Sequence, residues 1–158
     1  MHSDASFGNL DKGASQIAYV IFLADEDNNS ALISWNSIKA KRIARSTLTA
    51  ETLALSEAVD KANVINNTLS KLIFDDSQKL KVQCYTDSHS IVDAVRTSHT
   101  MAEKRLLIDM SALREASDRE EITIQWIETR WNLANPLTKK SANSGPLLEA
   151  LRNGRLTL

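Results

Sequence analysis

The amino-acid sequence predicts an α/β fold in which a five-stranded mixed sheet is flanked by helices. The first part of the chain carries short runs rich in β-branched and aromatic residues, which are typical of an antiparallel meander. From about Thr47 to Phe74 the apolar residues recur instead at helical spacing. After that helix, short strands alternate with helices. A meander followed by such alternation is typical of a mixed sheet whose later strands are parallel.

Each element follows from a local pattern. The predicted strands are His2–Phe7, Ile17–Leu23, Ala31–Trp35, Lys81–Thr86 and Ile122–Trp126. The predicted helices are Thr47–Phe74, Ser88–Arg96, Glu103–Ser117 and Pro146–Leu151. Polar and glycine-containing segments mark the breaks, at Gly8–Gly13, Asp25–Ser30 and Asp75–Ser77. Trp35, on a predicted strand, is assigned to the core.

Composition limits the class of protein. A chain of 158 residues, of which 42% are hydrophobic, predicts a single domain over residues 1–158. No apolar run approaches the roughly 20 residues that span a membrane, so no membrane partner is predicted. The single cysteine, Cys84, cannot form an internal disulfide, which favours a reducing, intracellular setting. The net charge of −1 gives no global basic field.

Three carboxylates stand where chemistry is plausible. Asp4 lies in the first strand segment, Asp87 directly follows a strand, and Glu51 lies in the first turns of the long helix. Three converging carboxylates repel one another unless a cation lies between them, and hard oxygen ligands suit Mg²⁺ or Mn²⁺. Each residue also has a structural explanation. Glu51 can complement the helix dipole, Asp87 can cap the next helix, and Asp4 can be a turn residue.

The order of six local strings identifies a resemblance that covers the chain from Ser3 to about Leu156. The strings are Ser3-Asp4-Ala5-Ser6, Ile33-Ser34-Trp35-Asn36-Ser37, Ser46-Thr47-Leu48-Thr49-Ala50-Glu51-Thr52-Leu53-Ala54-Leu55, Tyr85-Thr86-Asp87-Ser88, Ile108-Asp109 and Leu133-Ala134-Asn135-Pro136-Leu137-Thr138-Lys139. Together they resemble the ribonuclease H domain of a copia-type retrotransposon Pol polyprotein. The resemblance implies a ribonuclease H-like fold, a five-stranded mixed sheet with helices packed on it.

The resemblance also implies a function and a site. The function is metal-dependent cleavage of the RNA strand of RNA–DNA hybrids during retroelement replication. Asp4, Glu51 and Asp87 match the first three acids that bind two Mg²⁺ ions, for which Mn²⁺ can substitute. Asn135 stands where the family has a fourth acid. The expected partners are an RNA–DNA hybrid and the reverse transcriptase domain of the same polyprotein, and the expected location is the cytoplasm, within virus-like particles.

Several alternatives stay open at this stage. Asn135 is either natural or engineered, and the domain is either an active nuclease or an inactive remnant that binds nucleic acid or protein. Asp109 is left outside the catalytic set, because a structural role on its helix explains it equally well. The family has more apolar residues before the first acid, so the resemblance implies a first strand truncated at the N-terminus.

A nucleic-acid surface is predicted around the start of the long helix. Basic side chains cluster just before it and can contact phosphates, although a solvated loop is the equal alternative. Hydroxyl groups at two helix starts can contact phosphates or the RNA 2′-hydroxyl, or can simply act as caps. The predicted substrate-binding residues are Lys39, Lys41, Arg42, Arg45, Ser46, Thr47, Thr49, Ser88, Ser90 and Arg130. Trp131 is a further candidate for stacking on substrate.

Overall fold

The computed structural model describes residues 1–75, 79–97 and 104–157 and confirms the predicted five-stranded mixed sheet. Its strands are β1 His2–Leu10, β2 Ala14–Ala24, β3 Ser30–Lys39, β4 Val82–Thr86 and β5 Ile122–Trp126. Its helices are α1 Thr47–Phe74, α2 His89–Arg96, α3 Lys104–Asp118 and α4 Gly145–Asn153. The predicted helix start at Glu103 and the predicted helix stop at Asp76 and Ser77 lie outside the described residues.

The sheet has the strand order β3-β2-β1-β4-β5, which places β1 at its centre. Strands β1, β2 and β3 pair antiparallel, whereas β4 pairs parallel to both β1 and β5. Alternate residues of β2 reach opposite faces of the sheet. Tyr19 and Ile21 pack against Ala58 and Ala62 of α1, while Val20 packs in a second cluster with Ala150 of α4. The central strands are therefore covered on both faces.

Helix α1 begins and ends with recognisable caps. The Ser46 hydroxyl accepts a hydrogen bond from the Thr49 amide at 3.1 Å, and Asp75 closes the helix in the left-handed conformation. The helix has 28 residues and is therefore about 42 Å long. Near the end of the helix, Leu72 and Ile73 are 78% and 58% exposed, so these two apolar side chains lie outside the core.

Strands β1, β2 and β3 are all longer than the sequence pattern predicts, and β2 runs from Ala14 to Ala24 instead of from Ile17 to Leu23. The predicted loop at Gly8 belongs to β1, which continues to Leu10 through an irregularity of register after Ser6. Gly8 adopts a positive φ of 62° there, which glycine tolerates without strain. Strand β3 likewise extends to Lys39, so that this lysine lies on a strand end and not in the predicted loop.

The assignment of Trp35 to the core was wrong. Its side chain is 62% exposed on β3, which pairs only with β2 and forms one edge of the sheet. An aromatic residue at an alternating position suits a strand, but the pattern does not distinguish an edge strand from a central one. Among the described residues, no helix combines the length and the apolar character needed to cross a bilayer.

Candidate active site

Three elements bring Asp4, Glu51 and Asp87 together. Asp4 lies on the central strand β1, Glu51 on the first turns of α1, and Asp87 directly after β4. One carboxylate oxygen of each residue lies within 4.8 Å of the corresponding oxygens of the other two. Asp4 and Glu51 are buried, while Asp87 is half-buried and opens the cluster to solvent. The convergence predicted from the order of the strings is therefore present in the fold.

The cluster holds more negative charge than its protein surroundings favour. Burial, followed by the charges of Asp4 and Asp87, raises the pKa of Glu51 to about 8. Burial also raises the pKa of Asp4, against the opposing effect of a hydrogen bond from Thr138. Among the described residues, the buried Oε2 of Glu51 has no hydrogen-bond partner. An unpartnered buried carboxylate oxygen beside two further carboxylates fits a hard divalent cation, which satisfies the oxygen and removes the repulsion.

The raised pKa of Glu51 predicts how the stability of the metal-free protein depends on pH. The folded pKa of about 8 lies above the ordinary value of 4.5, so the folded state holds a proton that the unfolded state releases between these values. We therefore expect the free energy of unfolding in a chelator to fall as pH rises through this window. Urea denaturation of wild type and Glu51→Gln measures it. The variant should lose much of the slope, and an identical slope would contradict the prediction.

Asn135 is linked to the acidic cluster by the ammonium of Lys139, which contacts both Asn135 and Asp4. It begins a short 3₁₀ turn, Asn135–Leu137, and its Oδ1 accepts a hydrogen bond from Lys139 Nζ at 2.7 Å. The same ammonium lies 3.1 Å from Asp4 Oδ1. The Thr138 hydroxyl donates to the other oxygen of Asp4. The segment that carries Asn135 thus supplies a cation and a hydroxyl to the buried Asp4 carboxylate.

Several neighbours of the carboxylates were not among the predicted site residues. Thr138 and Lys139 stand in the same string as Asn135, so the resemblance contained the signal for both. Asn132 gave no such signal, although its Nδ2 donates to Asp87 Oδ1 at 3.2 Å and to the Ser3 carbonyl at 2.9 Å. Trp126 donates its indole N–H to the Asp87 carbonyl at 3.2 Å. These bonds fix Asp87 against β1 and β5.

Asp109 lies with a different partner. It forms an ion pair with Arg42 at 2.8 Å, between α3 and the segment that precedes α1. Its side chain is not part of the group formed by Asp4, Glu51 and Asp87. The pair raises the pKa of the Arg42 guanidinium, because the hydrogen bond that this group donates to Asp109 stabilises its charged form. The structure thus gives Asp109 a role in holding α3, and part of the charge of Arg42 is already neutralised.

The other predicted substrate-binding residues differ in how available they are. Lys39, Lys41 and Arg45 are exposed, and Lys41 lies 3.8 Å from Glu57. Arg130 is paired with a neighbouring acid, Glu128, at 2.8 Å and lies over the ring of Trp131. The basic groups before α1 remain available as a phosphate-contacting surface.

The predicted hydroxyl residues fall into two groups, those that cap α1 and those without a cap bond. Ser46 and Thr49 bond to each other at the start of α1, which supports the capping explanation for both. Thr47 and Ser90 are exposed, and Ser88 occupies the cap position of α2 without a side-chain cap bond. Among these hydroxyl residues, Ser88 is the one that directly follows a member of the acidic cluster, Asp87, in the sequence.

Comparison with known proteins points to one fold and one kind of polyprotein. No protein-family model matches the chain. It is 30% identical over 140 residues to the transposon Ty1-NL2 and Ty1-DR6 Gag-Pol polyproteins of Saccharomyces cerevisiae, covering 87% of this chain but only 8% of each relative. LC11-RNase H1, isolated from compost by a metagenomic approach, superposes with a TM-score of 0.61 at 19% identity, over 88% of this chain and 94% of that one.

A second solved structure agrees. The N-terminal RNase H domain of rv2228c from Mycobacterium tuberculosis gives a TM-score of 0.61 at 16% identity, over 97% of this chain and 92% of that one. At these identities the superpositions establish the ribonuclease H fold and no more. The chain therefore has the ribonuclease H fold and is similar, over most of its length, to one segment of transposon Gag-Pol polyproteins.

Proposed function

We propose that this domain is a metal-dependent endonuclease that cleaves the RNA strand of RNA–DNA hybrids. The observation that carries the proposal is the convergence of three carboxylates within 4.8 Å, with one buried oxygen left unpartnered among the described residues. Two relatives in fold support the substrate class, because LC11-RNase H1 has been crystallised with an RNA/DNA hybrid and foamy virus protease-reverse transcriptase shares the fold.

In this proposal the residues of the chain have three roles: they hold the metal ions, position Asp87 and contact the phosphate backbone. Asp4, Glu51 and Asp87 hold two Mg²⁺ ions, for which Mn²⁺ can substitute, and Asn135 offers a neutral carbonyl oxygen at the fourth position. Bound ions of this kind lower the pKa of a water and stabilise the leaving oxygen of an in-line displacement. Asn132 and Trp126 hold Asp87 in place. The exposed lysines and Arg45 before α1 position the phosphate backbone.

The test is cleavage of a duplex with one labelled RNA strand and one DNA strand. We expect RNA fragments with Mg²⁺ or Mn²⁺, none in a chelator, and no cleavage of the DNA strand. A duplex of two DNA strands serves as the substrate control. Cleavage that continues undiminished in the chelator would exclude the proposed mechanism.

A second candidate, an inactive domain that binds without cutting, is favoured by one observation. The Lys139 ammonium lies within hydrogen-bond distance of both Asp4 Oδ1, at 3.1 Å, and Asn135 Oδ1, at 2.7 Å. A positive charge there competes with a metal ion for the same oxygens. The two candidates differ in one outcome, because the inactive domain binds hybrid without producing fragments at any metal concentration.

The basic surface predicts the salt dependence of hybrid binding in a chelator. Each phosphate contact that is removed lowers the magnitude of the slope of log Kd against log salt by about 1. We expect this loss for Lys39→Ala and for Arg45→Ala, both exposed. Arg42→Ala should lose less, because Asp109 already pairs with that guanidinium. Lys71→Ala, near the end of α1, is the matched control, and a slope that none of these variants changes would place the substrate elsewhere.

The setting is also a proposal. The yeast relatives are Gag-Pol polyproteins, of which this chain covers 8%, and the foamy virus relative in fold is a protease-reverse transcriptase. We therefore propose that the domain acts beside the reverse transcriptase of a copia-type polyprotein. Its location would be intracellular, in virus-like particles in the cytoplasm.

A further inference from the structure

The oxygens of the acidic cluster differ in how far they are already bonded within the protein. Both oxygens of Asp4 have partners, since Thr138 donates its hydroxyl to Oδ2 and the Lys139 ammonium lies 3.1 Å from Oδ1. The side-chain oxygen of Asn135 accepts from the same ammonium at 2.7 Å. In contrast, the buried Oε2 of Glu51 has no hydrogen-bond partner among the described residues. One side of the site is therefore open to a cation, and the other side already holds one.

The charges of the cluster indicate the same difference. Asp4, Glu51 and Asp87 lie together, and the Lys139 ammonium forms an ion pair with the first of them. When all four groups are ionised, three negative charges and one positive charge leave two negative charges, which a single divalent ion neutralises. A second divalent ion meets a site that is already neutral, and it competes with the ammonium for Asp4 Oδ1. The lysine therefore opposes the second ion more than the first.

The ammonium can leave these oxygens while the segment that carries them stays in place. The Leu137 carbonyl accepts from the Ser37 hydroxyl at 2.6 Å and from the Gln16 side-chain amide at 3.0 Å, which fixes the turn to the sheet. Asn135 is buried in that turn. The Lys139 side chain is 37% exposed and has a flexible four-carbon stem. Rotation of this stem carries the ammonium into water and frees both oxygens.

We propose that Lys139 is a displaceable internal cation that stands in for the second metal ion. The inference rests on the proposed function and specifies the order in which the site takes its ions. Glu51 receives the first divalent ion while Lys139 keeps its contacts. Asp4 Oδ1 and Asn135 Oδ1 become available to a second ion only when the ammonium leaves them, so the second ion binds more weakly. The domain thus stays in a one-metal state until the divalent-ion concentration is high enough to displace the lysine.

The test is a titration of the whole metal-free chain with Mn²⁺, in which electron paramagnetic resonance of the free ion counts bound ions without substrate or cleavage. We expect one site in wild type and a second that binds at least tenfold more weakly. In Lys139→Met, which removes the ammonium but keeps the length of the side chain, the second dissociation constant should fall at least tenfold. Lys140→Met makes the same change at the adjacent, exposed position and should leave both sites unchanged.

A second measurement uses wild type alone and applies even if circular dichroism shows that Lys139→Met does not fold. Lysines are acetylated with an N-hydroxysuccinimide ester and the products are read by mass spectrometry. Lys139 should react at least threefold faster at saturating Mn²⁺ than in a chelator, while Lys140 should react equally in both.

Three results would overturn the proposal: two ions bound with equal affinity by wild type, an unchanged second dissociation constant in folded Lys139→Met, or unchanged reactivity of Lys139. Each of these leaves the proposed nuclease function standing if wild type binds Mn²⁺ and cleaves hybrid. The absence of any bound Mn²⁺ in wild type and in folded Lys139→Met would contradict both the inference and the proposed function.

Discussion

Asp87→Asn is expected to reduce cleavage of the RNA strand at least about a hundredfold, with little effect on folding. The change removes one negative charge from a group whose three oxygens lie within 4.8 Å. At an effective dielectric near 20, the attraction between a carboxylate and one unit of positive charge about 4 Å away is worth about 4 kcal/mol before desolvation is subtracted, and every ~1.4 kcal/mol lost from the transition state costs a factor of ten. Initial rates at saturating Mg²⁺ measure the effect.

The matched control for this variant is Asp93→Asn. Asp93 is exposed on α2, so the same change of charge occurs outside the acidic cluster. It should cleave at the wild-type rate. Asn132 can still donate to the amide oxygen of the Asp87→Asn variant, which is why we expect the fold to persist. Cleavage by Asp87→Asn at the wild-type rate would remove Asp87 from the catalytic set.

Asn135→Asp is expected to raise the cleavage rate at least about tenfold at saturating Mg²⁺. The substitution adds a carboxylate at the fourth position of the site, next to Lys139 and, through it, Asp4. The added charge favours a metal ion over the lysine ammonium as the partner of these oxygens. Single-turnover cleavage, with a parallel titration of Mg²⁺, separates a faster reaction from tighter metal binding.

The control for the added charge is Asn67→Asp, an exposed position on α1 away from the site. It should not change the rate. Binding of the hybrid should be similar in both variants and wild type, since the proposed phosphate contacts lie before α1. An unchanged rate in Asn135→Asp, with normal folding and hybrid binding, would mean that residue 135 does not serve as the fourth ligand.

Much of the fold was predictable because its signals are local. The 28 residues of α1 carry a continuous helical period and a serine cap, and the predicted bounds agree with Thr47–Phe74. The parallel strand that ends at Thr86 is short and alternating, so its position was predictable too. The three carboxylates were identified by the order of short strings and by their places at strand ends and a helix start.

What could not be predicted depends on contacts between distant parts of the chain. The exposure of Trp35 follows from the position of β3 at the edge of the sheet, which no local pattern reveals. The bond from Asn132 to Asp87 joins residues 45 positions apart, and the pair of Arg42 with Asp109 spans 67. The extension of β1 past Gly8 depends on a positive φ within the strand. In the sequence alone, a glycine at this position indicates a loop instead of a strand that continues.

The central position of β1 has a consequence for how the domain folds. Asp4 bonds to Thr138 across 134 residues, and β1 lies between β2 and β4. Closing so long a loop costs chain entropy before the contact is gained, and proteins rich in such contacts fold slowly for their size. We therefore expect the acidic cluster, of which Asp4 is one member, to assemble after the local contacts of α1 and of the β2–β3 hairpin. A partly folded chain without these long-range contacts would lack the acidic cluster.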